Sequence, residues 1–321
     1  MRIGKLTESA LKRSVLKLIK TEFKDKVSAA VGADCAFSES KRTYSAVATY
    51  AMDASDIGYY AVCKSANSLI AQGITPDHVD VSILLDEEIE EKRLKEIVRD
   101  CIEGCKAAGT VYAGGHTEVS TAVSRPVITA TCVGYNEDAL LGKPKAGQAL
   151  VISKWVGLEG TALLAKEKKQ DLISKYPASF INDAIGFKDY MTIESEAAVA
   201  IKSGVSAVHD LSNGGVFAGL WEMGERAGCG LKVDLKSIPL RQETVEICEF
   251  FEINPYQLLS GGALLFATDD GEKLVEDLRH EGIMAALIGF LQEGNRKDII
   301  NEDESRFLEM PQADEIHKIL G

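Results

Sequence analysis

Two short segments with paired glycines constrain the fold of this chain more than any other feature. The first is Gly-Gly-His-Thr-Glu at 114–118, and the second is His-Asp-Leu-Ser-Asn-Gly-Gly at 209–215. In both, glycines stand beside acidic or hydroxyl side chains where a predicted strand meets a loop or a helix. Glycine lets a backbone approach phosphate closely, and N–H groups in such turns bind anions. The two segments predict an α/β protein with a nucleotide site.

The hydrophobic pattern around these segments is typical of a mixed α/β fold. Strands are predicted at 46–52, 79–85 and 126–135, from their β-branched residues and their alternation of apolar and polar residues. Helices are predicted at 57–72 and 94–105, where apolar residues recur with helical spacing. The predicted fold class is therefore α/β (α+β).

The second half of the chain repeats this alternation and is predicted to form a separate domain. Turn residues gather at 136–148, so we expect a first domain over 1–140 and a second over 148–321. The polar segment 293–321 is expected to add no core element before a weak final helix. At the other end of the chain, an amphipathic helix is expected to have an apolar stripe formed by Leu11, Val15, Leu18 and Ile19.

Composition argues against several classes of partner. The chain has 321 residues, with 49 acidic against 36 basic side chains and a net charge of −13. Nucleic acids and anionic membranes require a basic surface, so neither is an expected partner. An acidic protein that binds nucleotide phosphates must neutralise its own field locally, and Mg2+ is the expected means. Seven cysteines without a C-x-x-C pair fit reduced thiols and a cytoplasmic location.

Two aspartates near predicted strands are candidate metal ligands. Asp34 lies in Val-Gly-Ala-Asp-Cys-Ala, and Asp53 is at the end of the strand predicted at 46–52. Carboxylate oxygens presented by loops are suitable ligands for Mg2+. The alternative for Asp34, as for Asp56, is a role in a turn or as a helix cap. Asn67, on the following helix, can supply an oxygen to a metal or a donor to phosphate.

The 114–118 segment offers candidate ligands for both phosphate and metal. The backbone of Gly114 and Gly115, together with His116 and Thr117, can contact phosphate, and Glu118 can bind Mg2+. One alternative is a turn whose side chains simply face solvent. Another is a zinc site, although a chain with five histidines offers few ligands at zinc spacing.

The 209–215 segment is predicted to begin a helix at Gly214. Asp210 and Ser212 can cap that helix, and its exposed N–H groups form a potential anion site. A different alternative is nucleophilic catalysis by Cys35, with His116 or His209 as its base. No spacing in the sequence supports a particular pair for that chemistry.

Taken together, these segments resemble the AIR synthase-related (PurM-like) superfamily, and within it the HypE branch of hydrogenase maturation proteins. The resemblance spans almost the whole chain, and the motifs occur in the same order. They are Gly32-x-Asp34-x-Ala36, Asp53, Asn67, Gln72-Gly73-x-x-Pro76, Gly114 to Val119, and Asp210-Leu211-x-x-Gly214-Gly215.

The resemblance implies an N-terminal α/β domain that dimerises through its sheet, a C-terminal α/β domain, and ATP with Mg2+ in the cleft between them. It implies a homodimer that phosphorylates an amide-type or acid oxygen, on a small molecule or a protein, with a maturation protein as a partner. The implied metal ligands are Asp34, Asp53 and Glu118, and the implied catalytic residues are Asp210, Glu118 and His116. The implied ATP-binding residues are Asp34, Asp53, Asn67, Gly114, Gly115, His116, Thr117, Asn213, Gly214 and Gly215.

The chain departs from the family pattern at several positions. Ala33, Ser68 and Gly261 stand where the family has acidic residues, and Asn213 stands where a basic residue is common. The residues at 317–321 include no cysteine, whereas the HypE branch modifies a C-terminal cysteine. Two alternatives to a HypE-like enzyme therefore stay open. One is a regulatory or scaffold paralogue with impaired catalysis, and the other is a kinase of the thiamine-monophosphate kinase type.

Overall fold

The protein forms two α/β domains, each built on one mixed sheet, which confirms the predicted fold class. The computed structural model describes residues 7–24, 28–38, 42–136, 139 and 142–321. Within these residues, a five-stranded sheet has the order β1-β2-β5-β3-β4, and a seven-stranded sheet has the order β12-β11-β8-β10-β6-β9-β7.

The first sheet lies within 36–135. Its strands are β1 (Ala36–Ser38), β2 (Thr43–Ala51), β3 (Thr75–Leu85), β4 (Val111–Val119) and β5 (Val127–Tyr135). The helices that precede or connect them are α1 (Glu8–Leu11), α2 (Lys17–Phe23), α3 (Ile57–Ile70) and α4 (Glu91–Ala107), with a π turn at Lys12–Leu16. Strands β2, β5 and β3 pair antiparallel, and β4 joins β3 in parallel after the crossover through α4.

One face of this sheet is packed and the other is open. Ala48, Val81 and Ile128 face the core beneath α3 and are buried. Alternate residues on the other face stay partly or fully exposed, and Val47 is 64% exposed. A sheet with one uncovered face bearing apolar side chains is suited to pack against another surface.

The second sheet lies within 149–307. Its strands are β6 (Ala149–Ser153), β7 (Ala207–Asp210), β8 (Gly230–Asp234), β9 (Leu264–Thr268), β10 (Ala285–Gln292), β11 (Lys297–Asn301) and β12 (Glu304–Phe307). Its helices are α5 (Leu158–Glu167), α6 (Lys169–Leu172), α7 (Ala178–Ile185), α8 (Glu194–Lys202), α9 (Gly215–Ala227), α10 (Gln242–Phe250), α11 (Gly271–His280) and α12 (His317–Leu320). Strands β6, β7 and β9 are buried along their whole length.

The terminal segments differ from the sequence prediction. In the N-terminal helix Leu16 is buried, whereas Leu18 is 64% exposed, because the π turn changes the phase of the helical repeat. The prediction that 293–321 adds no core element is also wrong. Ile299 and Ile316 are fully buried there, since single apolar residues are covered by strand pairing and docking rather than by a continuous apolar run.

Candidate functional site

The 114–118 segment belongs to a strand, so the predicted glycine loop is wrong. Strand β4 runs through the segment to Val119 and pairs in parallel with β3, with a shift in register. Gly115 has a φ of 140°, which other residues rarely adopt. A side chain at this position would overlap the backbone of Val81. Strand pairing alone therefore accounts for this glycine.

His116 and Glu118 lie on the open face of the first sheet. They are directly opposite Ser82 and Leu84 of β3, and residues directly opposite each other in a sheet share a face. Both side chains are exposed, and His116 Nε2 is 3.1 Å from Glu118 Oε2. Thr117, between them, faces the opposite side. A ligand that uses His116 and Glu118 together must lie on the open face.

Asp53 lies far from Asp34 along β2. Strand β1 begins two residues after Asp34 and pairs with β2 at Ser45, eight residues before Asp53. Extended chain of that length spans about 26 Å. Asp53 is 68% exposed, and its Oδ1 accepts a hydrogen bond from Arg93 at 3.2 Å. Because Glu118 is on the third strand from β2 in the sheet, one chain does not bring Asp34, Asp53 and Glu118 to a single ion.

Asp34 instead meets the second predicted segment between the domains. Its Oδ1 is 2.5 Å from Nδ1 of His209 on β7, and its Oδ2 accepts a hydrogen bond from Gln72 at 2.9 Å. Nε2 of His209 is 2.9 Å from Glu222 on α9. Burial lowers the pKa of His209, but the charges of Asp34 and Glu222 outweigh burial and raise it to about 10. A charged imidazolium accepts no proton, which argues against His209 as a base for Cys35.

Asp210, at the end of β7, is buried beside this ion group. Ser68 of α3 donates a hydrogen bond to its Oδ2 at 3.2 Å, and its Oδ1 has no hydrogen-bond partner among the described residues. Burial raises the pKa of Asp210 to about 8, and the negative charge of Asp34 adds to the effect. An orphaned carboxylate oxygen fits a bound cation such as Mg2+.

Asp34 and Asp210 are therefore the two predicted site residues that lie near each other in the fold, close enough for the charge of Asp34 to raise the pKa of Asp210. Across the described ranges, no group of three or more His, Cys, Asp or Glu side chains has metal-binding geometry. A metal at this pair would need further oxygen ligands, because Mg2+ is octahedral and usually keeps water or substrate phosphates as ligands. The site fits a metal that arrives with a nucleotide better than a resident ion.

Asn67 connects α3 to the C-terminal domain. It is buried, and its Nδ2 donates a hydrogen bond to the carbonyl of Met191 at 2.7 Å. Its Oδ1 has no hydrogen-bond partner within the part of the chain that the structure describes. The amide group that was predicted to donate to phosphate therefore donates to a backbone carbonyl instead.

The N terminus of α9 already binds an anion from the same chain. Gly214, with a φ of 81°, donates its N–H to Asp314 Oδ2 at 2.6 Å. The other oxygen of Asp314 accepts from the N–H of Leu259 at 3.2 Å. A side chain at Gly215 would overlap the backbone around Leu258. Asn213, two residues earlier, accepts a hydrogen bond from Lys64. The N–H groups at this helix terminus were predicted to form an anion site, and in the structure the carboxyl group of Asp314 lies there.

A cavity of about 640 Å3 opens beside Asp34. Five of its lining residues are basic, and they come from the N-terminal helix, from α9 and from the segment between the two domains: Lys12, Lys17, Lys20, Lys143 and Arg226. Only Asp34 and Glu225 among the lining residues are acidic. In a chain of net charge −13, this concentration of positive charge indicates a polyanionic ligand. The volume is that of a small-molecule or cofactor site.

Sequence reasoning missed these lysines, although a signal was present. Lys17 and Lys20 are three residues apart, which places them on the same side of the N-terminal helix. It also missed Lys64, which forms a polar stripe with Ser68 and Gln72 every four residues. On a helix whose other side chains are mostly buried, such a stripe indicates a polar contact with another element.

The fold defines a class of two-domain α/β proteins with mixed sheets, and comparison with known proteins identifies the family. The model of the AIR synthase related protein N-terminal domain matches residues 14–135, and that of the C-terminal domain matches 145–301. The chain belongs to the AIR synthase-related (PurM-like) family, a family of ATP-dependent enzymes.

Individual relatives support the same assignment. Carbamoyl dehydratase HypE of Rhodobacter capsulatus is 28% identical over 243 residues, which is 73% of this chain and 69% of that protein. A HypE–HypF complex contains a chain with a TM-score of 0.76 and 21% identity, covering 93% of this chain and 100% of that one. A HypE solved in complex with ATP has a TM-score of 0.71 and 18% identity, covering 97% and 99%.

No helix in the described part of the chain has the length and apolar character needed to cross a membrane.

Proposed function

We propose that this protein binds ATP with Mg2+ in the cavity beside Asp34 and uses it to phosphorylate an amide, carbamoyl or related oxygen. The observation that supports this most is the lining of that cavity, where five basic residues face two acidic ones in an acidic protein. Phosphoryl transfer depends mainly on positioning and on charge neutralisation, which basic side chains and a metal ion supply. The relatives named HypE make hydrogenase maturation the expected context.

The proposed division of labour follows the positions of the charges. Lys17, Lys20 and Lys143 contact the phosphates, and Arg226 forms the inner wall with hydrogen bonds to the carbonyls of Val208 and Gly142 at 2.9 and 2.8 Å. Asp34 and Asp210 hold the Mg2+ that comes with the nucleotide, with the buried Oδ1 of Asp210, unpartnered among the described residues, as one ligand. When bound, Mg2+ would neutralise charge on the transferred phosphoryl group.

The remaining catalytic candidates, His116 and Glu118, lead to a proposal about assembly. Both lie on the open face of the first sheet, where Val47 and Val111 are 64% and 60% exposed. A homodimer formed through this face would cover the apolar side chains and bring His116 and Glu118 to an interface. A protein partner is also proposed, because one HypE relative was solved in complex with HypF.

The proposal is tested by calorimetric titration of ATP with and without Mg2+, followed by a phosphate-release assay. Wild type is expected to bind ATP more tightly with Mg2+, and a Lys17→Ala/Lys20→Ala variant is expected to lose about tenfold in affinity. Lys95→Ala is the matched control, because Lys95 is an exposed lysine on α4 that pairs with Glu91. Equal ATP binding by the double variant and the control would contradict the proposed site.

One observation favours a second candidate, a nucleotide-binding paralogue without turnover. Asp34 is held by His209 and Gln72, and Asp314 occupies the N terminus of α9. If these groups stay engaged, nucleotide binds and no phosphoryl acceptor is activated. Tight ATP binding with no phosphate release, with or without amide-type substrates, is the result expected of this candidate. Formation of ADP and thiamine diphosphate from ATP and thiamine monophosphate, without release of free phosphate, would instead favour the kinase alternative.

A further inference from the structure

Gln72 is a buried side chain that contacts Asp34 from the end of α3. It lies two residues after that helix, and its backbone N–H donates to the carbonyl of Leu69 at 2.9 Å. Its side chain lines the cavity beside Asp34, yet only 1% of the residue is exposed. A buried amide must satisfy its polar atoms within the protein, so the partners of Gln72 determine what it can do.

The side chain of Gln72 uses both ends of its amide. Nε2 donates to Asp34 Oδ2 at 2.9 Å and to the carbonyl of Val208 at 3.0 Å. Oε1 faces Arg226, whose Nη2 lies 3.4 Å away. Arg226 is itself fixed by hydrogen bonds to the carbonyls of Val208 and Gly142. The reverse orientation of the amide would place its NH2 group against the guanidinium and its oxygen against two acceptors, so these neighbours fix which end faces Asp34.

Asp34 needs such support because it lies on a loop. It stands between the turn at 31–32 and the start of β1, and side chains on loops are held less precisely than those on helices and strands. Nδ1 of His209 lies 2.5 Å from the other oxygen of Asp34. A charged imidazolium there competes with a metal cation, whereas the neutral amide of Gln72 directs the carboxylate without repelling Mg2+. Two hydrogen bonds still leave lone pairs of the carboxylate free for a metal.

We propose that Gln72 is a positioning residue that orients the Asp34 carboxylate towards the Mg2+ of the bound nucleotide. This inference rests on the proposed function, because it takes Asp34 as a metal ligand. Carboxylates that bind metals are commonly held by hydrogen bonds from residues behind them, and loss of such a partner typically lowers metal affinity by about ten- to a hundredfold. Arg226 keeps its two carbonyl partners when Gln72 is replaced. Removal of the amide should therefore weaken the contribution of Mg2+ and leave the basic wall of the cavity in place.

Titration calorimetry of ATP, in excess Mg2+ and in excess EDTA, separates these two contributions. The ratio of the two affinities measures what Mg2+ adds to binding. Gln72→Met keeps the approximate length of the side chain and removes its amide. We expect this variant to lower the ratio about tenfold, while its affinity for ATP in EDTA changes less than about twofold. An unchanged ratio, or an equal loss of affinity in Mg2+ and in EDTA, would overturn the proposal.

Gln148→Met is the matched control. Gln148 is also 1% exposed, and its Nε2 donates to Ser206 and, at 3.0 Å, to Asp269. Its Oε1 accepts from the N–H of Lys145 at 3.0 Å. Gln148 thus has the same number of partners as Gln72 but is not among the described residues that line the cavity. The control should leave the Mg2+ ratio unchanged.

A double variant tests whether Gln72 acts through Asp34. In an Asp34→Asn background, Gln72→Met should lower the Mg2+ ratio by less than about twofold, because the carboxylate that Gln72 orients is absent. Additive losses from the two substitutions would contradict the positioning role. If Gln72→Met does not fold, Gln72→Asn carries the same tests, since it keeps an amide for the polar surroundings but is one methylene shorter than the contact with Asp34 requires.

The same titrations separate this inference from the proposed function. A wild type that binds ATP equally well in Mg2+ and in EDTA, or does not bind it, would contradict the proposed function and the positioning role with it. A wild type that gains affinity from Mg2+, with the same gain in Gln72→Met, would contradict the positioning role alone.

Discussion

The two glycine-rich segments look alike in sequence but occupy opposite environments. The segment at 114–118 is an exposed part of an edge strand, and its His116 and Glu118 face the open side of the sheet. The segment at 209–215 is buried between the domains, where Asp210 meets Ser68 and Asp34 lies beside His209. Only the second has access to charges from both domains.

Contacts between the two domains, rather than the local glycine motif, therefore bring the residues of this site together. An acid at a glycine turn can bind metal only if other oxygens converge on it. Asp34 and Asp210 converge because α3 and the loop before β1 pack against β7 and α9. His116 and Glu118 lack such neighbours within one chain and would acquire them at a dimer interface. Four predictions address this contrast.

Exchanging Gly115 for valine should have the largest effect. The new side chain would overlap Val81 and would need a φ that valine rarely adopts. We expect the free energy of unfolding to fall by about 4 kcal/mol, measured by urea denaturation. Gly147→Ala is the control, because Gly147 also has a positive φ but has no atom within 4 Å of the new Cβ. Gly147→Ala should lower the free energy of unfolding by about 1 kcal/mol. A small loss in both variants would mean that β4 does not pair as described.

Asp210→Asn should have the next largest effect and should act on binding rather than on stability. The amide keeps the shape of the side chain but binds Mg2+ poorly, so we expect a loss of about a hundredfold, or about 2.7 kcal/mol, in Mg2+-dependent ATP affinity. Glu118→Gln makes the same exchange in the exposed segment. The Mg2+-dependent ATP affinity of Glu118→Gln should differ from that of wild type by less than threefold. Equal losses in the two variants, measured by titration calorimetry, would remove the distinction between the segments.

The buried segment should also make stability depend on pH. The pKa of His209 is raised to about 10, so its stabilising charge is complete below pH 6.5 and is lost as pH rises towards 10. The pKa of Asp210 is raised to about 8, so its ionisation in the fold also costs stability as pH rises. The loss of the His209 charge and the ionisation of Asp210 both lower stability as pH rises. The free energy of unfolding should therefore decrease steadily between pH 6.5 and pH 9.5.

A denaturant titration at each pH tests this expectation, with His209→Gln as the comparison. The variant should be less stable at pH 6.5 and should show a flatter pH dependence. A wild-type stability that rises over the same interval would contradict the assignment of His209 as an imidazolium between Asp34 and Glu222.

The smallest effect concerns the exposed segment and its open sheet face. Val47→Glu places a charge among the apolar and hydroxyl side chains of that face, and Val47 is exposed enough to tolerate it in a monomer. If the face forms a homodimer, the dissociation constant of the dimer should increase about tenfold, which is a loss of about 1.4 kcal/mol in binding free energy. Analytical ultracentrifugation measures this constant. Lys95→Glu, on the outer helix α4, should leave the dimer unchanged. A wild type that is monomeric at all concentrations would exclude this interface.

Local patterns were enough to predict most strands and helices, because apolar periodicity reports which face of an element is buried. Helix α4 and strand β5 lie close to their predicted ranges for that reason. Strand β4 was mistaken for a loop because paired glycines usually mark turns, and only the pairing with β3 explains Gly115. The burial of Ile316 likewise depends on docking, which has no local signal.

The candidate site was predictable in part. Asp34 and Asp210 were identified singly, and each has a recognisable turn context. Their meeting depends on how the two domains pack, and no spacing in the sequence encodes that distance. Packing within the second domain likewise places Asp314 at Gly214, about a hundred residues away in the chain. The stripe of Lys64, Ser68 and Gln72 was visible in the sequence, but its partners became evident only in the fold.

The most direct test of the central claim is a crystal structure with Mg2+ and a non-hydrolysable ATP analogue. We expect the triphosphate in the cavity lined by Lys17, Lys20 and Arg226, with Mg2+ bound between Asp34 and Asp210. Phosphates bound along Gly114 to Glu118, with the cavity beside Asp34 empty, would contradict the claim.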